Sequence, residues 1–159
     1  MGFVMLPIVA VLFWLGITAQ ALQLSQAVPG AGVSGHMESL AGVTAQQAQV
    51  FGAACSATAG ATPGLVGQSI VPSLPSGVVL PAGAVCMATA RAGGGRDIIG
   101  YMPVQAGAAG EIIANSEGNL AWYRVQSQGS AINLVTGLAT AVPAAIPVGA
   151  LLHWVQTNT

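Results

Sequence analysis

The sequence contains no lysine and very little charge of either sign. Three arginines and four acidic residues are its only formally charged side chains, 4% of 159 residues, and the net charge is −1. In an ordinary soluble domain, roughly a quarter of the residues are charged. The scarcity of positive charge argues against a protein that binds nucleic acid by electrostatic attraction. The scarcity of glutamate and lysine argues against a long coiled coil.

Apolar residues, in contrast, make up 53% of the chain. This composition argues against intrinsic disorder, which requires high charge and few apolar residues. The length suits one domain, and the 22 glycines and 9 prolines predict short elements separated by turns. High hydropathy with little charge indicates a membrane-associated protein or a surface buried against partners or other copies. A composition bias of a GC-rich genome is the alternative explanation.

The first 24 residues carry no charge, and nearly all side chains from Phe3 to Ala19 are apolar. As a helix this segment would be about 36 Å long, enough to cross a hydrocarbon core of about 30 Å. We therefore expect a transmembrane helix over residues 3–24 that contacts membrane lipid. The alternatives are a cleaved signal peptide, with a cleavage site at Ala19-Gln20-Ala21, and a buried helix of a soluble protein. No basic residue precedes Pro7, which disfavours the signal peptide.

This interpretation divides the chain into a membrane anchor (residues 1–26), a linker (27–36) and an exported domain (37–159). It predicts a protein of the bacterial inner membrane with its C-terminal domain in the periplasm. In the exported domain, apolar residues with helical spacing predict a helix over residues 37–57. The apolar face expected to be buried consists of Met37, Leu40, Val43, Val50, Phe51, Ala54 and Cys55.

Short apolar runs separated by Gly and Pro predict strands after this helix. The predicted strands cover residues 78–80, 84–89, 97–102, 120–125, 131–135 and 150–155, with a short helix over 108–115. The fold class is therefore α+β: an N-terminal transmembrane helix, a second helix, then a small, mostly antiparallel β-sheet. Residues assigned to the sheet and its core are Trp122, Val125, Leu134, Val148, Leu151 and Trp154.

Cys55 and Cys86 are the only cysteines. An even number of cysteines outside the cytoplasm favours a disulfide, which here would join the helix to a strand. Two buried free thiols are the alternative. Zinc binding is disfavoured, because His36 and His153 do not have the spacing of ligands with the cysteines.

No pattern of catalytic residues is present. Gly93-Gly94-Gly95 lacks the lysine of a phosphate-binding loop and is read as a hairpin turn, and no G-x-S-x-G nucleophile motif occurs. Glu111 and Glu117 are interpreted as solvated charges, and His36 and His153 as structural. We therefore predict no enzymatic activity, no catalytic residues, no cofactor and no metal site.

Three stretches resemble the PilM family, inner-membrane proteins of the thin pili of conjugative plasmids. They are the Ala- and Gln-rich helix running into a Pro-Gly turn (residues 46–67), the segment Gly107 to Gly118, and the ending Val142-Pro143-Ala144-Ala145-Ile146-Pro147-Val148-Gly149-Ala150-Leu151-Leu152. The lack of lysine departs from the family. The resemblance implies a structural component of type IV pilus assembly, and it implies no catalytic residues.

A weaker resemblance links Met1-Gly2-Phe3 to the processing site of type IV pilins. Pro7 stands where a major pilin has glutamate, which disfavours a major pilin but not a minor pilin or pseudopilin. The expected function is therefore an inner-membrane-anchored assembly component of a type IV pilus or related conjugative apparatus. Its expected partners are other pilus-assembly proteins or copies of itself, and no nucleic acid. The alternatives are a pilin-like filament subunit and a membrane-anchored structural protein of a virion.

Overall fold

The structure is a computed structural model that describes residues 32–158, together with Phe13, Trp14, Ile17 and Gln20. The chain divides into two compact units, Met1–Ser39 and Leu40–Thr159, and each is described by itself. In the first unit the four separate residues are helical and exposed, and a long helix begins at Val33. The second unit contains the rest of this helix and the whole β-sheet.

Two helices and seven strands occur within residues 32–158. In chain order they are α1 (Val33–Ala61), β1 (Gly67–Ile70), β2 (Val85–Ala90), β3 (Arg96–Met102), α2 (Ala108–Asn115), β4 (Trp122–Ser127), β5 (Ser130–Asn133), β6 (Ala139–Ala141) and β7 (Leu151–Thr157). Helix α1 starts before the predicted residue 37 and runs four residues beyond 57. Helix α2 has the predicted bounds.

The strands form one sheet in the order β1-β2-β3-β7-β4-β5-β6, and every neighbouring pair is antiparallel. The C-terminal strand β7 lies in the middle, between β3 and β4. The last residues of the chain therefore connect two halves of the sheet that are each built from consecutive strands.

The predicted transmembrane helix is corrected by this structure. Among the described residues, no helix combines the length and the hydropathy needed to cross a membrane. Residues 3–24 lie outside the described residues, apart from the four named above. Helix α1 is long, but polar residues such as Glu38, Gln46 and Gln49 interrupt its apolar positions. The N-terminal transmembrane helix of the predicted fold class is therefore wrong, and so is the inner-membrane localisation that depended on it.

Small residues form the sheet-facing stripe of α1. Within the larger unit, its buried positions repeat every three or four residues, as one face of a helix does. This stripe consists of Ala41, Ala45, Ala48, Gly52, Cys55 and Ala59, with Phe51 and Ala54 beside it. Leu40 and Val43, which we predicted to face the core, are 43% and 50% exposed. Met37, in the smaller unit, is also exposed.

Alternate residues of the strands supply two separate hydrophobic cores. On the helix side, Phe51 and Cys55 pack with Ile98 and Leu151. On the opposite side, Ile99 and Leu152 pack with Ile146, from the segment that precedes β7. Neighbouring residues thus enter different cores, which is the period-two pattern expected of a strand buried on both faces. Of the predicted core residues Val148 is misplaced, because it lies in a turn and is 60% exposed.

Glycine residues allow α1 to approach the sheet closely. A Cβ atom added at Gly52 would lie 2.9 Å from Cβ and Cγ of His153 in β7. A Cβ atom added at Gly100 in β3 would lie 3.3 Å from Cβ and Sγ of Cys55. Gly100 and His153 are cross-strand neighbours. One glycine on each side of the interface therefore makes room for a side chain of the other side.

We predict that Gly52→Ala destabilises the protein by about 1–3 kcal/mol, because the added methyl group has no space and overpacking costs this much. Gly42→Ala in the same helix is the matched control, since a Cβ atom there meets nothing within 4 Å. It should stabilise by about 0.5–1 kcal/mol, because alanine is the better helix former. Chemical denaturation of both variants tests this. Equal effects at the two positions would contradict the close approach.

The C-terminal end of α1 is held by a buried arginine. Arg96, the first residue of β3, is 3% exposed. Its Nη1 donates hydrogen bonds to the carbonyl oxygens of Ala59, Thr62 and Leu65 at 3.2, 2.9 and 2.9 Å. A positive charge is favourable where a helix ends with unpaired carbonyl groups. Arg96 therefore joins the end of α1 to the start of β3.

Candidate functional site

One row of residues crosses four strands beneath α1. Cys86, Gly100, His153 and Trp122 are successive cross-strand neighbours on β2, β3, β7 and β4. We call these four residues the helix-facing row. Cys86 and Trp122 belong to the core on the helix side, and His153 contacts α1 at Gly52 and Ser56. Three residues singled out in the sequence meet here: Cys86 and His153 belong to the row, and Cys55 of α1 packs against it.

Cys55 and Cys86 form a disulfide, as predicted, with their Cα atoms 5.6 Å apart. The bond joins the C-terminal half of the sheet-facing stripe on α1 to one end of the helix-facing row. Both residues are buried. The two cysteines are 31 residues apart in the sequence, so the disulfide closes a loop of that length. It also holds α1 against β2.

Removing the disulfide should lower the free energy of unfolding by about 3–4 kcal/mol, because a loop of this length restricts the unfolded chain. The measurement is urea denaturation of the Cys55→Ala/Cys86→Ala double variant beside the oxidised protein. Reductant should destabilise the original protein and leave the double variant unchanged. A difference below about 1 kcal/mol between the two proteins would show that the bond contributes little.

His153 lies in the interface between helix and sheet. Its Nδ1 is 3.2 Å from Oγ of Ser56, and its ring centroid is 4.8 Å from that of Trp122. Burial lowers the pKa of His153, because the charged imidazolium loses its hydration there. The imidazole is therefore neutral at pH 7 and packs as a half-buried aromatic ring.

The Ser56–His153 pair has two of the groups that a serine nucleophile needs. A reaction centre also requires an open cleft and donors for a developing oxyanion. His153 instead contacts the backbone at Gly52, and neither Ser56 nor His153 lines the groove described below. We assign the pair a role in packing α1 on the sheet. The absence of enzymatic activity stays a prediction.

The lowered pKa makes stability depend on pH. The folded protein binds a proton at His153 less readily than the unfolded chain, whose histidine pKa is about 6.5. The stabilisation is fully present above pH 6.5, and it is lost as the pH falls from there to the folded-state pKa. Unfolding free energies measured between pH 8 and pH 5 should show this loss. His153→Gln should remove this dependence, whereas His36→Gln, at an exposed position, should keep it. An unchanged pH profile in His153→Gln would contradict the assignment.

A groove of about 440 Å³ lies beside α1 in the larger unit. Three segments line it: α1, the connection before β2, and the end of β3 with the residues that follow. Its lining residues are Thr44, Gln47, Val79, Leu80, Pro81, Ala82, Met102, Pro103, Val104 and Gln105. None of them is charged. At its edge, Val79 is 83% exposed and Leu80 is 46% exposed. The groove is therefore suited to an uncharged partner.

The remaining residues singled out in the sequence do not gather at one place. Gly93, Gly94 and Gly95 form a turn between β2 and β3, with positive φ angles. Glu111 lies in the first turn of α2, and Glu117 follows its end. Within residues 32–158 and the four separate residues, no group of three or more His, Cys, Asp or Glu side chains could hold a metal ion.

Sequence reasoning missed three features of this interface. Arg96 was left outside the predicted strand over residues 97–102, although its buried guanidinium binds the end of α1. The importance of Gly52 and Gly100 could not be predicted from the sequence, because it depends on the side chains of His153 and Cys55 that pack against them in the fold. The small residues of α1 before Phe51, at three- and four-residue spacing, were the available signal, but the prediction chose the larger Leu40 and Val43, which are exposed.

Comparisons with known proteins give no relative for this chain: no family model, no curated protein and no solved structure matches it. The PilM-like and pilin-like resemblances therefore stay expectations drawn from the sequence.

Proposed function

We propose that this chain is a structural assembly component of a type IV pilus or related conjugative apparatus. The observation that carries the proposal is the apolar outer side of α1, where Leu40 and Val43 are 43% and 50% exposed although Phe51 of the same helix is buried. Large apolar side chains left outside favour contacts with other proteins.

The low charge supports the same conclusion. A free domain normally has a surface rich in charged residues, which keeps it soluble and apart from other molecules. Here seven charged residues are present in 159, and one of them, Arg96, is buried. The exposed apolar side chains include Val71 and Val79 at 84% and 83% and Leu138 at 70%. Contacts that cover such surfaces depend on apolar burial rather than on charge.

The disulfide and the close helix packing suit a subunit that must keep its shape in an assembly. The link to a pilus, as opposed to another assembly, depends on the PilM-like stretches of the sequence. A pilin-like filament subunit is the alternative, and the location of the protein in the assembled apparatus distinguishes the two.

Deletion of the gene tests the proposal. We expect loss of pili, counted by electron microscopy, and loss of plasmid transfer in liquid mating, with both restored when the gene is supplied in trans. Normal piliation with normal transfer would refute the proposal. Absence of the protein from sheared filaments would support a component outside the filament, and its presence there would support the pilin-like alternative.

A further inference from the structure

Aromatic side chains and a carboxylate lie together on the face of the sheet opposite α1. Ile99 of β3 belongs to the core on this face, and by alternation along the strand Asp97 and Tyr101 lie on the same face. Tyr123 of β4 and Trp154 of β7 pack against the same core. All four polar-tipped side chains are half-buried, so each keeps part of its surface open to a ligand. We call this group the aromatic patch: Asp97, Tyr101, Tyr123 and Trp154.

Contacts within the aromatic patch hold its rings in place. The indole Nε1 of Trp154 donates a hydrogen bond to Oδ1 of Asp97 at 3.2 Å. The ring centroids of Trp154 and Tyr123 are 5.5 Å apart, and the ring planes are tilted by 50°. Tyr101 and Tyr123 are cross-strand neighbours of Leu152 from its two sides. A ligand therefore meets rings that are already oriented, and little side-chain freedom is lost when it binds.

Polar side chains border the aromatic patch at one end of the sheet. Thr89 in β2 and Gln156 in β7 are the cross-strand neighbours of Asp97 on its two sides. Directly after these strands, Nη2 of Arg91 donates a hydrogen bond to Oδ1 of Asn158 at 3.2 Å. Gln156 and Asn158 are exposed. This end of the sheet therefore offers both donors and acceptors, and it carries one charge of each sign.

This combination of groups favours a carbohydrate ligand. A pyranose ring has an apolar face of C–H groups, which packs on an aromatic ring, and hydroxyl groups around its edge, which both donate and accept hydrogen bonds. A purely apolar partner would strip water from the carboxylate and give it no hydrogen bond in return. An ion of either sign would meet one attractive and one repulsive charge at this end of the sheet. A neutral ligand rich in hydroxyl groups satisfies both the rings and the polar border.

We propose that the aromatic patch binds the pyranose rings of a glycan chain. Trp154 is the stacking platform, and Tyr101 and Tyr123 contact the sugar beside it. Because Oδ1 of Asp97 accepts the indole hydrogen bond, Oδ2 is the oxygen that accepts from a sugar hydroxyl group. The amide of Gln156 binds a second hydroxyl group. This inference goes beyond the proposed function, since the assembly proposal rests on the outer side of α1 and the aromatic patch lies on the other face of the sheet.

Nitrogen–proton correlation NMR of the full-length protein measures binding at the aromatic patch, because each tryptophan gives its own indole N–H signal. The probes are two soluble oligosaccharides, the glucose tetramer cellotetraose and the N-acetylglucosamine tetramer chitotetraose. We expect the Trp154 signal to shift with a dissociation constant of about 1 mM, since an open site with few contacts binds weakly. The Trp122 signal is the internal control and should not move, because that ring is buried on the helix side.

Two glutamine variants form a matched pair. Gln156→Ala and Gln126→Ala each remove an exposed strand glutamine, but Gln126 in β4 lies toward the opposite end of the sheet. Gln156→Ala should weaken binding at least about threefold, because one hydrogen bond to the sugar is lost, and Gln126→Ala should leave it unchanged. Asp97→Asn keeps an acceptor for the indole N–H but removes the charge, and it should weaken binding about tenfold. Spectra recorded without sugar show whether each variant is folded.

Binding of both tetramers supports recognition of the pyranose ring itself, and binding of one alone supports the same site with selectivity for the substituents of that sugar. The proposal is overturned if neither tetramer shifts the Trp154 signal at about ten times the expected dissociation constant. It is overturned as well if folded Gln156→Ala and Asp97→Asn bind as tightly as Gln126→Ala. A shift caused by choline chloride and by neither sugar would also overturn it, because the rings and the carboxylate would then form a site for a cation.

Discussion

Small side chains on α1 allow its backbone to lie close over β3 and β7, and the other features of the interface depend on this short distance. Gly52 provides the space for His153, and Gly100 provides the space for Cys55. The disulfide to Cys86 can form only because the helix is this near. Arg96 fixes the end of the same helix by binding the carbonyl groups of Ala59 in its last turn and of Thr62 just after it. The central position of β7 brings His153 under the helix, between β3 and β4.

The same packing explains why the outer surface is apolar. Alanine, glycine, Cys55 and one large side chain, Phe51, form the face of α1 that packs on the sheet, so Leu40 and Val43 are not used in the core. Beside them is a groove without charged residues. The core on the helix side therefore includes Phe51 but neither Leu40 nor Val43. Those side chains are available for contacts between subunits, and this is the physical basis of the assembly function that we propose.

The sequence predicted local elements well and long-range features poorly. Helix α2 and the central strands were found because their apolar runs are bounded by glycine and proline. Strands β1 and β6 were missed because they are short edge strands, and the predicted strand at residues 78–80 is an exposed connection. The cysteine pair was predictable because no other cysteine competes. The contact between Ser56 and His153 could not be predicted, because the two residues are 97 positions apart and no local sequence pattern indicates it. The buried face of α1 was predicted correctly at Phe51, Ala54 and Cys55. It was predicted wrongly at Met37, Leu40 and Val43, because side-chain size was used there in place of helical spacing.

Native-state hydrogen exchange measures most directly whether the helix–sheet contact holds the larger unit together. The account predicts that the amides of Phe51–Cys55 in α1 and those of Gly100 and His153 in the sheet are protected to the same extent. Both sets should exchange only through global unfolding, because neither element has a complete core without the other. Exchange of the α1 amides at a clearly lower free energy, while β3 and β7 stay protected, would contradict it. The sheet would then be stable alone, and α1 would be an accessory that docks on it.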